Sequence, residues 1–359
     1  MKLTNFPFLV KKEILDYLSI NQIFFLSLCS KNIKDFIIQT QRKQFKKVEH
    51  IKYFIKDAIV SIDAKSSDIE IWEPTVMCVL NTTSDYPGIR DRALVEEVRV
   101  QELGTSVDFF RHSTRPSDLH AKYCSENLES IIEAIHNHLY DLLGHHTKFW
   151  IENTLAENAF VPMLRNIQMV HIAGDGFKPT EIDKFLDRST CLEYFLWMTM
   201  YEREEEKKLR ENSKIYELDT LYLWSETSLA SDVVKYFNGR HAFLMGSRIT
   251  TKDVIRFLKQ WKSGEKFQNL EVISMSSRVE TWKIRNAIEF KKVSKKVKYS
   301  FIRTFRDKYN SNVDPCEFKS CLYIVRESDG LVASVMLTTY MVFIGVWNMT
   351  EKAFLETFQ

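Results

Sequence analysis

Leu218-Asp219-Thr220-Leu221-Tyr222-Leu223 is the stretch whose reading decides the fold of most of this chain. Leu221 and Leu223 alternate with polar or aromatic neighbours as a half-buried strand requires. The apolar frame recurs as Ile167-x-x-Val170-x-Ile172, Leu192-x-x-Phe195-x-Trp197 and Leu270-x-x-Ile273-x-Met275, with starts 25, 26 and 52 residues apart. The last interval is twice the others, which predicts a degenerate copy at His241-Ala242-Phe243-Leu244-Met245. A fixed period of this length marks a repeat architecture.

Helical patterns separate the frames. Thr180 precedes Ile182, Phe185 and Leu186, with Asp183 three residues on as a capping-box partner. Ser231 precedes Val233, Tyr236 and Phe237, and Thr250 with Asp253 opens Val254, Phe257, Leu258 and Trp261. A strand followed by a helix in every repeat makes each crossover join parallel strands. The pattern resembles that of leucine-rich-repeat proteins, although the Asn or Cys ladder position is absent. In such stacks the exposed concave sheet binds partners. Gln168, Glu193, Tyr222 and Glu271, outward positions of the frames, are therefore the candidates for contact with a target.

Upstream, Val48 to Ile62 alternates, Ile69 to Trp72 and Val76 to Leu80 read as strands, and Asn81 to Arg92 is dense in turn formers. Leu94 to Val100 reads as a strand, Phe109 to Pro116 as irregular, and Leu119 to Leu143 as a long helix ended by Gly144. Downstream, Gly330 to Thr350 carries no charged residue over about the length of a bilayer span. Its Val, Thr, Tyr, Phe and Ile content, the break at Thr338-Thr339-Tyr340 and the Ser328-Asp329-Gly330 turn signal favour two or three strands over a membrane helix.

The first forty residues differ in kind. Pro7 is followed by Val10, Ile14, Leu15 and Leu18, a break at Ser19-Ile20-Asn21, then Ile23, Leu26 and Cys29, then Ile33, Phe36 and Ile37 after Ser30. These are three helices too short to be stable alone, so a partner or the chain behind must complete them. Phe6-Pro7, Ile14-Leu15-x-x-Leu18, Ile23-x-x-Leu26-Ser27-x-Cys29-Ser30-Lys31 and Ile33 resemble the F-box, with Phe6 for Leu, Cys29 for Val and Ile33 for Trp. Ile249 through Gly264, followed by Leu270-Glu271-Val272-Ile273, resembles the type 2 F-box-associated region of nematode F-box proteins. Tyr323 to Gly330 and Val342 to Trp347 are similar to the closing hairpin of those proteins.

The resemblance implies a substrate-recognition subunit of a cullin-based ubiquitin ligase of the SCF type. Its F-box would dock on a Skp-type adaptor, and through it on a cullin, with Pro7, Ile14, Leu15, Leu18, Ile23 and Leu26 supplying apolar contact or the packing beneath it. The remainder would hold a target protein, and the chain would contribute position and no chemistry. The expected organisation is α+β and α/β. It comprises an F-box over 1–45, an irregular α/β start over 46–165, leucine-rich-repeat-like units over 166–285, and C-terminal strands with a hairpin over 286–359.

Composition bounds the rival readings. At 45% hydrophobic residues the chain can build a large core, and a net charge of +2 gives no global field toward nucleic acid or anionic membrane. The local exception is Lys291 to Lys298, with Phe301, Arg303 and Arg306 behind it, which supports an alternative: a repeat-type binding protein unconnected to ubiquitination that takes RNA on this strip. Six scattered cysteines without a Cys-x-x-Cys pair fit a reducing compartment, the cytoplasm or nucleus, and no signal peptide is read. His112, His120, His136, His138, His145 and His146 cluster without metal-ligand spacing and read as surface or capping residues. Ten glycines in 359 residues include no phosphate-cradling loop, and no nucleophile elbow is present, so neither catalytic residues nor a cofactor or metal is expected.

Overall fold

The computed structural model describes residues 5–56, 59–66, 76–81, 97–100, 107–112, 115–123, 127–154, 161–174, 176–199, 209–246, 248–301 and 316–358. The chain divides into two compact units, Met1–His171 and Ile172–Gln359.

The first unit opens with α1 (Phe8–Asp16), α2 (Ile20–Ser27), α3 (Lys31–Thr40) and the single turn α4 (Arg42–Phe45). Ser19 and Gln22 form a capping box at α2, and the Ser30 hydroxyl accepts from the Ile33 N–H at α3, so the breaks seen in the sequence are true helix starts. There follow β1 (Val48–Lys56), β2 (Ile59–Ser66), β3 (Met77–Asn81), β4 (Glu97–Val100), β5 (Val107–His112), β6 (Arg115–Tyr123), α5 (Leu128–Leu143) and β7 (Lys148–Asn153). Their order across the sheet is β7-β1-β2-β3-β6-β5-β4. β1 and β2 form an antiparallel hairpin, whereas β7 joins β1 in parallel.

Two expectations fail here. Phe109 to His112 and Arg115 to Pro116 belong to the paired antiparallel strands β5 and β6, and Leu119 to Tyr123 is strand, so the helix begins only at Leu128. His120 and Ala121 pair with both β3 and β5, and that two-sided ladder overrides a local pattern compatible with helix. The strand-like Ile69 to Trp72 and the loop after Asn81 lie outside the described residues.

Strand β8 (Ile167–Ala173) carries the chain across the division between the units. The second unit contains α6 (Pro179–Arg188), β9 (Tyr194–Thr199), β10 (Thr220–Ser225), α7 (Leu229–Tyr236), β11 (His241–Met245), α8 (Thr251–Ser263), β12 (Val272–Ser276) and α9 (Thr281–Ala287). Strands β9 to β12 are parallel neighbours in chain order. β11 falls on the expected degenerate copy, His241–Met245.

The tail adds β13 (Lys291–Phe301), β14 (Cys316–Val325), β15 (Leu331–Leu337) and β16 (Met341–Thr350), all antiparallel, with β16 paired to β12. The uncharged run Gly330 to Thr350 is thus two strands joined at Thr338 to Tyr340, and no helix among the described residues is long and apolar enough to cross a membrane. A closing helix, α10 (Glu351–Phe358), had no counterpart in the sequence reading; Phe354 fills a cluster with Val293, Val297, Tyr323 and Val332.

Helix starts sort by whether the cap side chain is free for the backbone. Thr250 and Asp253 form the expected capping box on α8, and Gly264 closes that helix at φ +75. Replacing Thr250 with alanine should cost about 1 kcal/mol, measured as a lowered denaturation midpoint. α6 instead begins at Pro179, and Asp183 does not cap it. Asp183 is buried and accepts from the Ser213 hydroxyl and, at 3.1 Å, from the Arg210 guanidinium. α7 starts two residues before Ser231, which therefore lies inside the helix and does not cap it.

Candidate functional site

Helices α1 to α3 enclose a small interior of Leu15, Ile23, Phe24, Leu28 and Ile37, each at most 4% exposed. The trio is anchored on the rest of its unit. The Ser27 hydroxyl donates to the Phe24 carbonyl at 2.6 Å, so its 2.7 Å contact with His138 on α5 is a hydrogen bond donated by His138 Nε2–H. The ring of Phe24 meets His138 edge-on at 5.6 Å, and Phe25 meets Phe109 of β5 at 5.8 Å. Asn21 donates to the Val76 carbonyl at 2.7 Å, and Lys34 reaches Asp141 at 3.3 Å.

Four large apolar side chains of α1 and its C-cap are left exposed. Phe8, Leu9, Val10 and Tyr17 are 58%, 76%, 42% and 82% exposed, an unusual density of large apolar side chains for one short helix and its C-cap. Of the six residues expected to meet an adaptor, Pro7 is exposed and Ile14, Leu18 and Leu26 are half-buried. Leu15 and Ile23 are fully buried and serve as the packing beneath them. Phe8, Leu9, Val10 and Tyr17 were missed because a spacing of i, i+3, i+4 identifies an apolar stripe without saying which stripe the tertiary fold covers.

The four target candidates differ in exposure. Gln168 is buried, accepting from the Phe149 N–H at 2.7 Å and donating to Asn166 at 2.9 Å; its amide completes the ladder beside β7 and does not face outward. Tyr222 is half-buried and stacks on Phe243 with centroids 4.2 Å apart. Glu193 is exposed just ahead of β9, and Glu271 stands at the equivalent place ahead of β12. Burial alone would raise the Glu271 carboxyl, but hydrogen bonds from Arg240 at 2.6 Å and His241 at 3.1 Å outweigh it and hold it below the usual range.

The basic strip is β13. Lys291 pairs with Glu351 at 2.8 Å and Lys298 with Glu317 at 2.7 Å, while Lys292, Lys295 and Lys296 are exposed; Arg303 and Arg306 lie outside the described residues.

The histidine cluster requires a correction: His120 on β6 is buried and His136 and His138 are interior, so these are not surface or capping residues. His136 Nε2–H donates to the Arg165 carbonyl at 2.9 Å, which leaves Nδ1 to accept from the Tyr53 hydroxyl at 3.0 Å. Burial pushes the His136 and His138 imidazoles down to about 4. Arg165 and Lys34 nearby add to the effect on His136 and His138 respectively. His146 donates to the Phe45 carbonyl at 2.9 Å.

Residues 3–44 match the F-box domain model, covering α1 to α3 and most of α4, and residues 211–275 match the F-box associated model, which spans β10, α7, β11, α8 and most of β12. The second match starts well before the Ile249 segment singled out above and stops short of the tail. Neither curated proteins nor solved structures give a match. The two models together cover less than a third of the 359 residues, and on those residues the chain carries an F-box domain and an F-box-associated region.

Proposed function

We propose that this protein is a substrate-recognition subunit of an SCF-type ubiquitin ligase. An F-box joined to an F-box-associated region suggests such an adaptor in general. The observation that carries the reading is the set of exposed large apolar side chains on α1, in a trio anchored to α5. A Skp-type adaptor covering Phe8, Leu9, Val10 and Tyr17 would remove from water the one large apolar patch that the folding of its own unit leaves on this helix. The cullin joins through that adaptor, and the repeat strands of the second unit, in the manner of a leucine-rich-repeat surface, hold the target. Holding a target near a ubiquitin-charged enzyme raises the effective concentration of its lysines, so the chain's contribution is positional and non-catalytic. The type 2 region is consistent with a nematode source, and the ligase setting with the cytoplasm or nucleus.

Purified full-length protein should bind a recombinant Skp-type adaptor at micromolar concentration or below in titration calorimetry. Leu9→Asp places a charge in the patch and should weaken binding by roughly 30-fold or more, with an unchanged melting temperature because Leu9 is largely exposed. Leu18→Asp should abolish binding as well. Wild-type protein that fails to bind the adaptor at tens of micromolar sinks the proposal. Salt-dependent RNA binding that disappears when Lys295 and Lys296 are neutralised would instead favour the reading unconnected to ubiquitination.

A further inference from the structure

Trp224 on β10 lies in register with Met198 on β9 and Met245 on β11. Neighbours in register on parallel strands project to the same face, with strands about 4.8 Å apart. Trp224 is 43% exposed and the two methionines are half-buried. Glu226, two residues on, is exposed and makes no ion pair or hydrogen bond among the described residues.

Gly246 brings these groups together. A Cβ there would come within 3.1 Å of the Trp224 indole Cδ1 and Nε1 and 3.9 Å of Glu226 Cγ, so the indole edge and the carboxylate stem converge over one bare backbone position. Its φ of +66 is a conformation in which glycine costs nothing and other residues are strained. Space and backbone angle thus independently call for glycine beneath the indole.

An exposed indole, an unpaired carboxylate and two flexible thioethers suit one kind of guest: a cation on an aliphatic stem. Tryptophan is the strongest cation–π partner among side chains, and a desolvating carboxylate adds a charge-assisted hydrogen bond. Trp282, also exposed, already has Lys283 5.4 Å from its ring centre. Trp224 has no such cation among the described residues, and Arg248, two residues past Gly246 in the chain, is engaged in an interaction of its own.

We propose that Trp224 and Glu226, flanked by Met198 and Met245, form a recognition site for a lysine or arginine side chain within an apolar segment of the target protein. That the segment belongs to a ubiquitination target rests on the function proposed above; the preference for a basic side chain does not.

The test uses full-length protein carrying 5-fluorotryptophan, with the Trp224 fluorine resonance assigned from Trp224→Phe. Acetyl-Leu-Arg-Leu-amide should move that resonance, and the citrulline peptide, which keeps shape but lacks charge, should bind about 5-fold more weakly. Glu226→Gln should erase most of that difference, and Trp224→Ala should abolish binding, while adaptor affinity measured on the same proteins stays at the wild-type value. Equal binding of the arginine and citrulline peptides, or a Trp224 resonance unmoved at millimolar arginine peptide, overturns the proposal. Wild-type protein that takes the arginine peptide selectively yet ignores the adaptor would overturn the ligase reading and leave this site standing.

Discussion

Arg326→Leu should destabilise the second unit by about 2 to 3 kcal/mol: two backbone carbonyls lose their donor, while the loss at Asp329, whose side chain is 42% exposed, is screened by solvent. Arg326 is 3% exposed and uses its whole guanidinium. Nε and Nη2 reach the Asp329 carboxylate at 3.0 and 2.7 Å, and Nη1 donates to the Phe267 and Gln268 carbonyls at 3.3 and 3.2 Å. Its planar group also lies 5.2 Å from the centre of the Trp261 ring, which is fully buried. The same arginine holds the Asp329 carboxyl below the usual carboxylate range. Leucine would leave two backbone carbonyls without their donor and Asp329 with only the Leu331 N–H at 3.1 Å.

The position also explains a local anomaly. Phe267 has φ +62, and its buried ring packs at 4.5 Å from Phe257, so the chain after α8 turns through a conformation costly for a bulky residue. Arg326 clamps the carbonyl of that residue, and the Glu327 N–H donates to the Lys262 carbonyl at 2.8 Å. The β14–β15 turn therefore fixes the end of the F-box-associated match. Urea denaturation followed by tryptophan fluorescence should show a lowered midpoint. Lysine should rescue only part of the loss, because a point charge cannot serve three acceptors in a plane. A loss below about 1 kcal/mol for leucine would contradict the account.

The stability of the first unit should fall as pH drops from about 6.5 to about 4. His136 and His138 have folded values of about 4, against an ordinary histidine value of 6.5. Between those limits the unfolded chain binds more protons than the folded one, so stability rises with pH there. The contribution is fully present above 6.5, is lost progressively on acidification and is spent below 4. Each residue contributes about 3 kcal/mol at most by this linkage. The hydrogen bonds say why: both imidazoles are neutral with the proton on Nε2, and protonating His136 at Nδ1 would set it against the Tyr53 hydroxyl proton, which burial keeps in place by raising the phenol well above its usual range. His138 is also the anchor of α2, so adaptor affinity should weaken over the same window. Urea titrations at pH 7.5 and 4.5 check this; equal midpoints for the first unit would refute it.

The frame strands were legible because each is short, apolar at alternate positions and buried, which leaves a period in the sequence. β10, β11 and β12 lie where the Leu218, His241 and Leu270 segments placed them. Thr250 with Asp253 was legible because a capping box is local chemistry, complete within four residues. Asp183 was misread as a cap for the converse reason: its partners Arg210 and Ser213 come from almost thirty residues away. The same limit hid β6 inside an apparent helix and α10 behind an apparent hairpin.

What the sequence by itself determined was the list of parts: an F-box, parallel strands at a regular spacing with helices between them, and a charge-free tail made of strands. These follow from periodicity and nearest-neighbour chemistry, which a linear chain displays in full. Tertiary structure alone decided which side of each part is spent on folding. It buried Leu15 and Ile23 and left Leu9 and Tyr17 bare, turned Gln168 inward, sank His136 and His138 into the core, and set Trp224 over Gly246 beside Glu226. An amphipathic pattern says that one face must leave water. Only the packing partner, distant in the chain, settles which residues on that face are covered and which are left for another molecule.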